Sequence, residues 1–274
     1  MSKRLRIGIV GCGAIGSSVA IAIKEGLHPQ LVLSYLYDIN YSKTQALIKK
    51  LRLPNKFICH CLEQLVEGSD IVVEATHAKA SFNITKKTLA KGKDILVMSV
   101  GGILQHIKKL EQLAQKKSAH IYIPSGAIAG VDALKAARLG KIYSVTLTTI
   151  KPPTSFDSVE YIRDRKINLR KIKKDTIIFS GNAKEAIRLF PQNVNVAGVL
   201  SLAGVSQEKT KVKIIASPKA KNNIHEIRIS SQAGEILTRT QNLLHPENPK
   251  TSFLAVLSAQ EVLRQLASCI RVGT

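Results

Sequence analysis

The chain has 274 residues, enough for two modest domains, and 45% of them are hydrophobic, which excludes a disordered polypeptide. Lys and Arg total 41 against 19 Asp and Glu, a formal net charge of +22 that keeps a nucleic-acid or acidic-membrane partner in view. No uninterrupted apolar run reaches about 18 residues, so no transmembrane helix is expected. The apolar stretch Ile7 to Ile23 is broken by Gly8, Gly11, Gly13 and Gly16, and reads as strand, turn and helix rather than a signal peptide. Four cysteines, Cys12, Cys59, Cys61 and Cys269, are too few and irregular for a disulfide scaffold. No second pair stands at zinc-ligand spacing beside Cys59-His60-Cys61, so no metal site is expected, and a reducing cytoplasm fits.

In chain order, Leu5 to Val10 reads as a strand, Ala14 to Lys24 as a helix, Leu31 to Tyr37 as a strand and Lys43 to Leu51 as a helix. Short strands are expected at Phe57 to Cys61, Ile71 to Ala75, Ile95 to Met98 and Ile121 to Ile123, with helices at Ser81 to Ala90 and Leu104 to Gln115. This alternation predicts an α/β, doubly wound parallel sheet. Beyond it, Ser144 to Ile150, Lys211 to Ala216 and Ile224 to Ile229 alternate with period two, the mark of a largely antiparallel sheet covered on one face. Helices over Ala183 to Leu189 and Val194 to Leu202 would cover it, giving a second, α+β domain. From Pro249, capped by Asn248, a last helix is expected with an apolar stripe of Phe253, Val256, Ala259, Leu263, Leu266 and Ile270. The expected division is 1–125, 126–248, and a helix 249–274 returning to the first domain.

Gly11-Cys12-Gly13-Ala14-Ile15-Gly16 matches G-x-G-x-x-G directly between a strand and a helix, the context that a dinucleotide fold requires. Gly11 permits the tight turn, Gly13 lets the backbone approach a pyrophosphate, and Gly16 lets helix and strand pack closely. Ala14 and Ile15 open the helix whose N–H groups face the phosphates. Asp38 follows the second strand, where a carboxylate accepts from the adenosine ribose and disfavours a 2′-phosphate. NAD is therefore the expected cofactor, with NADP possible because Lys43 and the basic surroundings soften the repulsion.

Further motifs are Val97-Met98-Ser99-Val100-Gly101-Gly102, Pro124 to Ala133, Leu147 to Pro153, Phe190 to Ala197, Leu200 to Gly204, Asn223 to Ile227 and Asn248 to Ser252. On these the chain resembles the L-aspartate dehydrogenase family over nearly its whole length. The resemblance implies a Rossmann domain with an α+β substrate and dimerisation domain. It implies NAD(P)-dependent oxidative deamination of L-aspartate to iminosuccinate, then oxaloacetate and ammonia, feeding NAD biosynthesis. It places the family's active-site histidine on His225, its cofactor contacts on Ala127 and Asn195, and implies a homodimer. Two departures are the strong basicity and Gly101-Gly102, where relatives often have Gly-Ala.

Hydride removal from an amino acid's α-carbon requires its ammonium to lose a proton, and imidazole, with an ordinary pKa of about 6.5, suits that work. His225 is expected on the polar face of its strand, facing a cleft; base, substrate ligand and activator of the hydrolytic water all remain open to it. His77 follows the strand at Ile71 to Ala75, on the sheet edge where ligands bind, and suits a contact beside the nicotinamide ribose. Lys151 and Lys250 are candidate partners for the substrate carboxylates. Ser125, with Gly126 and Ala127, ends a strand and enters a helix, so its backbone N–H groups would face an anion or the nicotinamide.

Competing readings are a homoserine dehydrogenase or dihydrodipicolinate reductase of similar plan, an NAD-binding redox sensor, and a basic nucleic-acid-binding protein. The densest basic run, Tyr161 to Lys174, could contact phosphates. Aromatics are only 4% of the chain and Trp is absent, leaving few stacking platforms, so a solvated surface loop is the better reading and no specific nucleic acid is expected.

Overall fold

The computed structural model describes residues 4–190, 194–246 and 248–273. The chain divides into two compact units, residues 1–124 with 256–271, and residues 125–255 with 272–274.

The first unit runs β1 (Leu5–Val10), α1 (Ala14–Lys24), β2 (Leu31–Tyr37), α2 (Tyr41–Leu51), α3 (Leu62–Glu67), β3 (Ile71–Glu74), α4 (Ala78–Ala90), β4 (Asp94–Val97), α5 (Ile107–Lys117) and β5 (Ile121–Tyr122). Its five strands are all parallel, in the order β2-β1-β3-β4-β5. Both faces are covered, so the strands are apolar on both sides. Ile7, Ile9, Ile71, Val73 and Leu96 enter one core cluster, while Val10, Val72, Ile95 and Val97 enter the other. The strand expected at Phe57 to Cys61 is absent. Asn55–Phe57 is a 3-10 turn and only Ile58 bridges a strand, at Leu36, because Cys61 already precedes α3.

The second unit runs α6 (Val131–Ala137), β6 (Ile142–Lys151), α7 (Glu160–Asp164), β7 (Thr176–Asn182), α8 (Ala183–Leu189), α9 (Val194–Ala203), β8 (Thr210–Ala216), β9 (Asn223–Ser231), β10 (Gly234–Asn242), β11 (Leu244–His245) and β12 (Asn248–Ser252). β7 through β10 join β6 in one sheet of order β10-β9-β6-β8-β7. Three of its neighbour pairs are antiparallel, and β6 with β8 is parallel. α8 carries a reciprocal cap, Asn182 accepting from the Glu185 N–H while Glu185 accepts from Asn182. The basic run is more structured than a loop: it holds most of α7 and a 3-10 turn at Leu169–Lys171. Ile162 is buried and the Tyr161 ring packs on Phe179 and Phe190, which anchors the segment while its cations stay exposed.

The last helix, α10 (Phe253–Ala267), buries Val256, Ala259 and Leu263, and the latter two enter the first unit's core. Asn248 and Pro249 do not start it. They lie in β12, which pairs with β11, so the ladder takes residues that local cap preferences would give to the helix. Ile270 falls beyond the helix and is 75% exposed, so the apolar stripe ends before it.

Candidate active site

The β1–α1 turn has the shape its glycines imply. Gly11 has φ +97°, and a Cβ on it would collide with the Ala75 carbonyl. A Cβ on Gly16 would collide with the Gly11 carbonyl, so helix and turn approach at a distance that only glycine allows. A Cβ on Gly13 would meet nothing within 4 Å. That open side is the room a pyrophosphate needs, and no side chain caps α1 to occupy its first N–H groups. Ala14 and Ile15 form its first turn, half-buried. Asp38, just after β2, accepts from the Cys12 N–H at 2.8 Å and from the Asn40 N–H at 2.8 Å. The acid thus fixes the turn. These residues fit a dinucleotide. His77 is exposed and holds the N-cap position of α4, where its side chain makes no cap bond.

In the second unit, His225 on β9 shares its face with Ile227 and Ile229, and this is the buried face rather than the polar one expected. The alternation is the same, but His225 stands at the polar end of an apolar stripe. Val145, Leu147, Thr149 and Lys151 form the matching stripe on β6, and Thr149 is directly opposite His225. The Thr149 hydroxyl lies 3.1 Å from His225 Nδ1, and Nε2 has no partner among the described residues. Burial, with the nearby Lys151 charge, pushes His225 down to about 3, so the ring is neutral at pH 7. Lys151 is 7% exposed and His225 is 5% exposed. Burial pushes Lys151 down to about 8. Among the described residues it has no carboxylate partner, which is costly for a buried ammonium.

Ser125 and Ala127 do not lead into a helix. The loop runs on to α6 at Val131, with Gly126 and Gly130 both at positive φ. The Ala127 carbonyl accepts from the Thr240 hydroxyl at 2.9 Å and from Asn242 Nδ2 at 3.0 Å, and the Ala129 carbonyl accepts from the Thr238 hydroxyl at 3.0 Å. Thr240 is also directly opposite His225. β10 therefore ties the Ala127 loop to the histidine strand. Asn195 is the second residue of α9 and exposed, inside the helix rather than capping it. Lys250 lies on β12. Thr149, Thr240 and Asn242 escaped sequence reasoning because cross-strand register alone brings them to His225 and Ala127; the period-two Thr238, Thr240, Asn242 pattern was the available signal.

Residues 11–124 match the family description "Homoserine dehydrogenase, NAD binding domain", and residues 132–266 match "Aspartate dehydrogenase, C-terminal". An L-aspartate dehydrogenase from Methanococcoides burtonii is 43% identical, covering 98% of this chain and all of that protein. The chain belongs to the L-aspartate dehydrogenase family. Another member, from Methanosarcina barkeri, is 39% identical with the same coverage. The crystal structure of aspartate dehydrogenase from Thermotoga maritima superposes with a TM-score of 0.76 at 26% identity, covering 98% of this chain and 100% of that one. A homoserine dehydrogenase from Thiobacillus denitrificans shares the fold, with a TM-score of 0.64 at 15% identity over 97% of this chain and 73% of that one. The first unit is accordingly an NAD(P)-binding domain of a dehydrogenase.

Proposed function

We propose that the protein oxidises L-aspartate to iminosuccinate, which water converts to oxaloacetate and ammonia. The observation that carries this reading is the buried pair of Lys151 and His225, one a cation without a counter-ion among the described residues and the other a neutral base, within a chain 43% identical to an L-aspartate dehydrogenase. A dicarboxylate brings the missing charge for Lys151. With Nδ1–H of His225 donating to Thr149, Nε2 presents its lone pair, and the bound carboxylates, by offsetting the Lys151 charge that helps hold the ring neutral, raise its affinity for the proton that the substrate ammonium gives up. The free amine can then expel hydride from the α-carbon. NAD(P), when bound, accepts that hydride. His225 is also suited to drawing a proton from the water that hydrolyses the imine.

The cofactor is held by Gly11, Gly13, Ala14, Ile15, Gly16 and Asp38, with His77, Ala127 and Asn195 as further contacts. Asp38 favours NAD. Lys250 and Ser125 remain candidates for substrate contact beside Lys151. The enzyme works as a cytoplasmic homodimer that supplies NAD biosynthesis and takes no specific nucleic acid. Its free cysteines suit a reducing compartment, and among the described residues no helix is long and apolar enough to cross a membrane.

The test is a screen of amino acids with both NAD and NADP. Formation of reduced nucleotide with L-aspartate supports the reading. Turnover with another amino acid and none with aspartate overturns it.

A further inference from the structure

Glu74 ends β3 and is 0% exposed, and the chemistry above makes no use of it. Its Oε1 accepts from the Thr76 N–H at 2.8 Å and the Thr76 hydroxyl at 2.6 Å. Its Oε2 accepts from the Ser81 hydroxyl and the Ser99 N–H, each at 3.0 Å. No cation pairs with it among the described residues. Placing a carboxylate there is expensive, and an apolar side chain would fill the same space without that cost. What the carboxylate adds is four acceptor positions aimed at three segments: the loop after β3, the first turn of α4 and the loop after β4.

The loop after β3 closes on the glycine turn, and the loop after β4 packs on Thr76 and on the start of α4. The Ala75 N–H donates to the Val10 carbonyl at 2.8 Å, and Gly11 packs on the Ala75 carbonyl. The Ser99 hydroxyl donates to the Thr76 carbonyl at 2.7 Å, and a Cβ on Gly102 would collide with the Ala78 carbonyl. All this lies at the carboxyl edge of the parallel sheet, where such folds bind their ligands. We propose that Glu74 is a positioning residue that pre-organises the NAD(P)-binding edge, holding Thr76–His77 against the glycine turn and Ser99–Gly102 against Thr76–Ala78. Without it, part of the cofactor's binding energy goes into ordering these loops.

Gln is nearly isosteric with Glu but replaces one acceptor oxygen with an NH2; the hydroxyl at that oxygen can turn to accept, but the backbone N–H of Thr76 or Ser99 is left facing a donor. Calorimetric titration of the protein with NAD and with NADH, beside its melting temperature without nucleotide, tests the proposal. Glu74→Gln is expected to bind both nucleotides at least about tenfold more weakly. Thr76→Val, which removes only one hydroxyl, is expected to weaken them a few-fold with a near wild-type melting temperature. Wild-type affinity in both variants, with melting lowered or not, overturns the proposal. If Glu74→Gln does not fold, wild-type affinity in Thr76→Val alone overturns it.

Discussion

The Thr149 hydroxyl sits 3.1 Å from Nδ1 of His225, across a strand pair in which the two residues face each other directly. That bond fixes the ring, and in the proposed reaction Nε2 is the nitrogen that takes the proton. Thr149→Val keeps the shape and removes the bond. It is expected to lower kcat roughly tenfold to a hundredfold with little change in KM for aspartate, while Thr149→Ser restores most of the rate. Steady-state kinetics of the two variants check this, and a Val variant with wild-type kcat would remove Thr149 from the mechanism.

His225→Ala is expected to lose about a hundredfold or more of turnover, as general acid–base groups do, while still binding NAD. Turnover and calorimetric NAD titration of the same preparation separate the two effects. Wild-type kcat would take His225 out of the reaction.

Lys151, pushed down to about 8 by burial, loses its charge just above neutrality. If it pairs with a substrate carboxylate, KM for aspartate rises above about pH 8 in the wild type. In Lys151→Arg, whose guanidinium stays charged, that rise disappears. Lys151→Met raises KM at every pH, yet raises the melting temperature at pH 7, because an ammonium with no counter-ion among the described residues is taken out of the interior.

The depressed His225 sets an acid limit on stability. Its folded-state pKa of about 3 lies below the ordinary 6.5, so between these values the unfolded chain binds a proton that the folded one refuses. Stability therefore falls as pH drops from about 6.5 toward 3. In His225→Asn this contribution vanishes, and denaturant midpoints measured between pH 4 and 7 should show a shallower slope. An unchanged slope would mean that another group governs acid unfolding.

The formal charge of +22 is spread through the chain, and NAD and aspartate are both anions. Steering by that field predicts that kcat/KM falls as ionic strength rises while kcat holds. A flat salt profile would show that the excess charge does nothing for catalysis.

Much of this protein was legible in its sequence because the relevant physics is local. Apolar runs separated by helical periodicity gave the parallel sheet, and Gly11 and Gly16 marked the β1–α1 turn through close approaches that only glycine allows, while Asp38 ties that turn through its carboxylate. Family motifs brought His225 forward, and its alternation with Ile227 and Ile229 was already in the strand. It lies on the buried face rather than the polar one because a polar residue can end a buried stripe when the opposite strand supplies Thr149. Asn248 and Pro249 carry helix-start preferences worth about a kcal/mol, and pairing of β12 with β11 overrides them. Glu74 reads locally as one acid after three apolar residues. Only the fold, by bringing Thr76, Ser81 and Ser99 to its two oxygens, makes a buried carboxylate tenable there. Local propensity and motif chemistry thus determined the two-domain dehydrogenase plan. The register between distant strands, a property of the whole sheet, decided which neighbours tune Lys151 and His225.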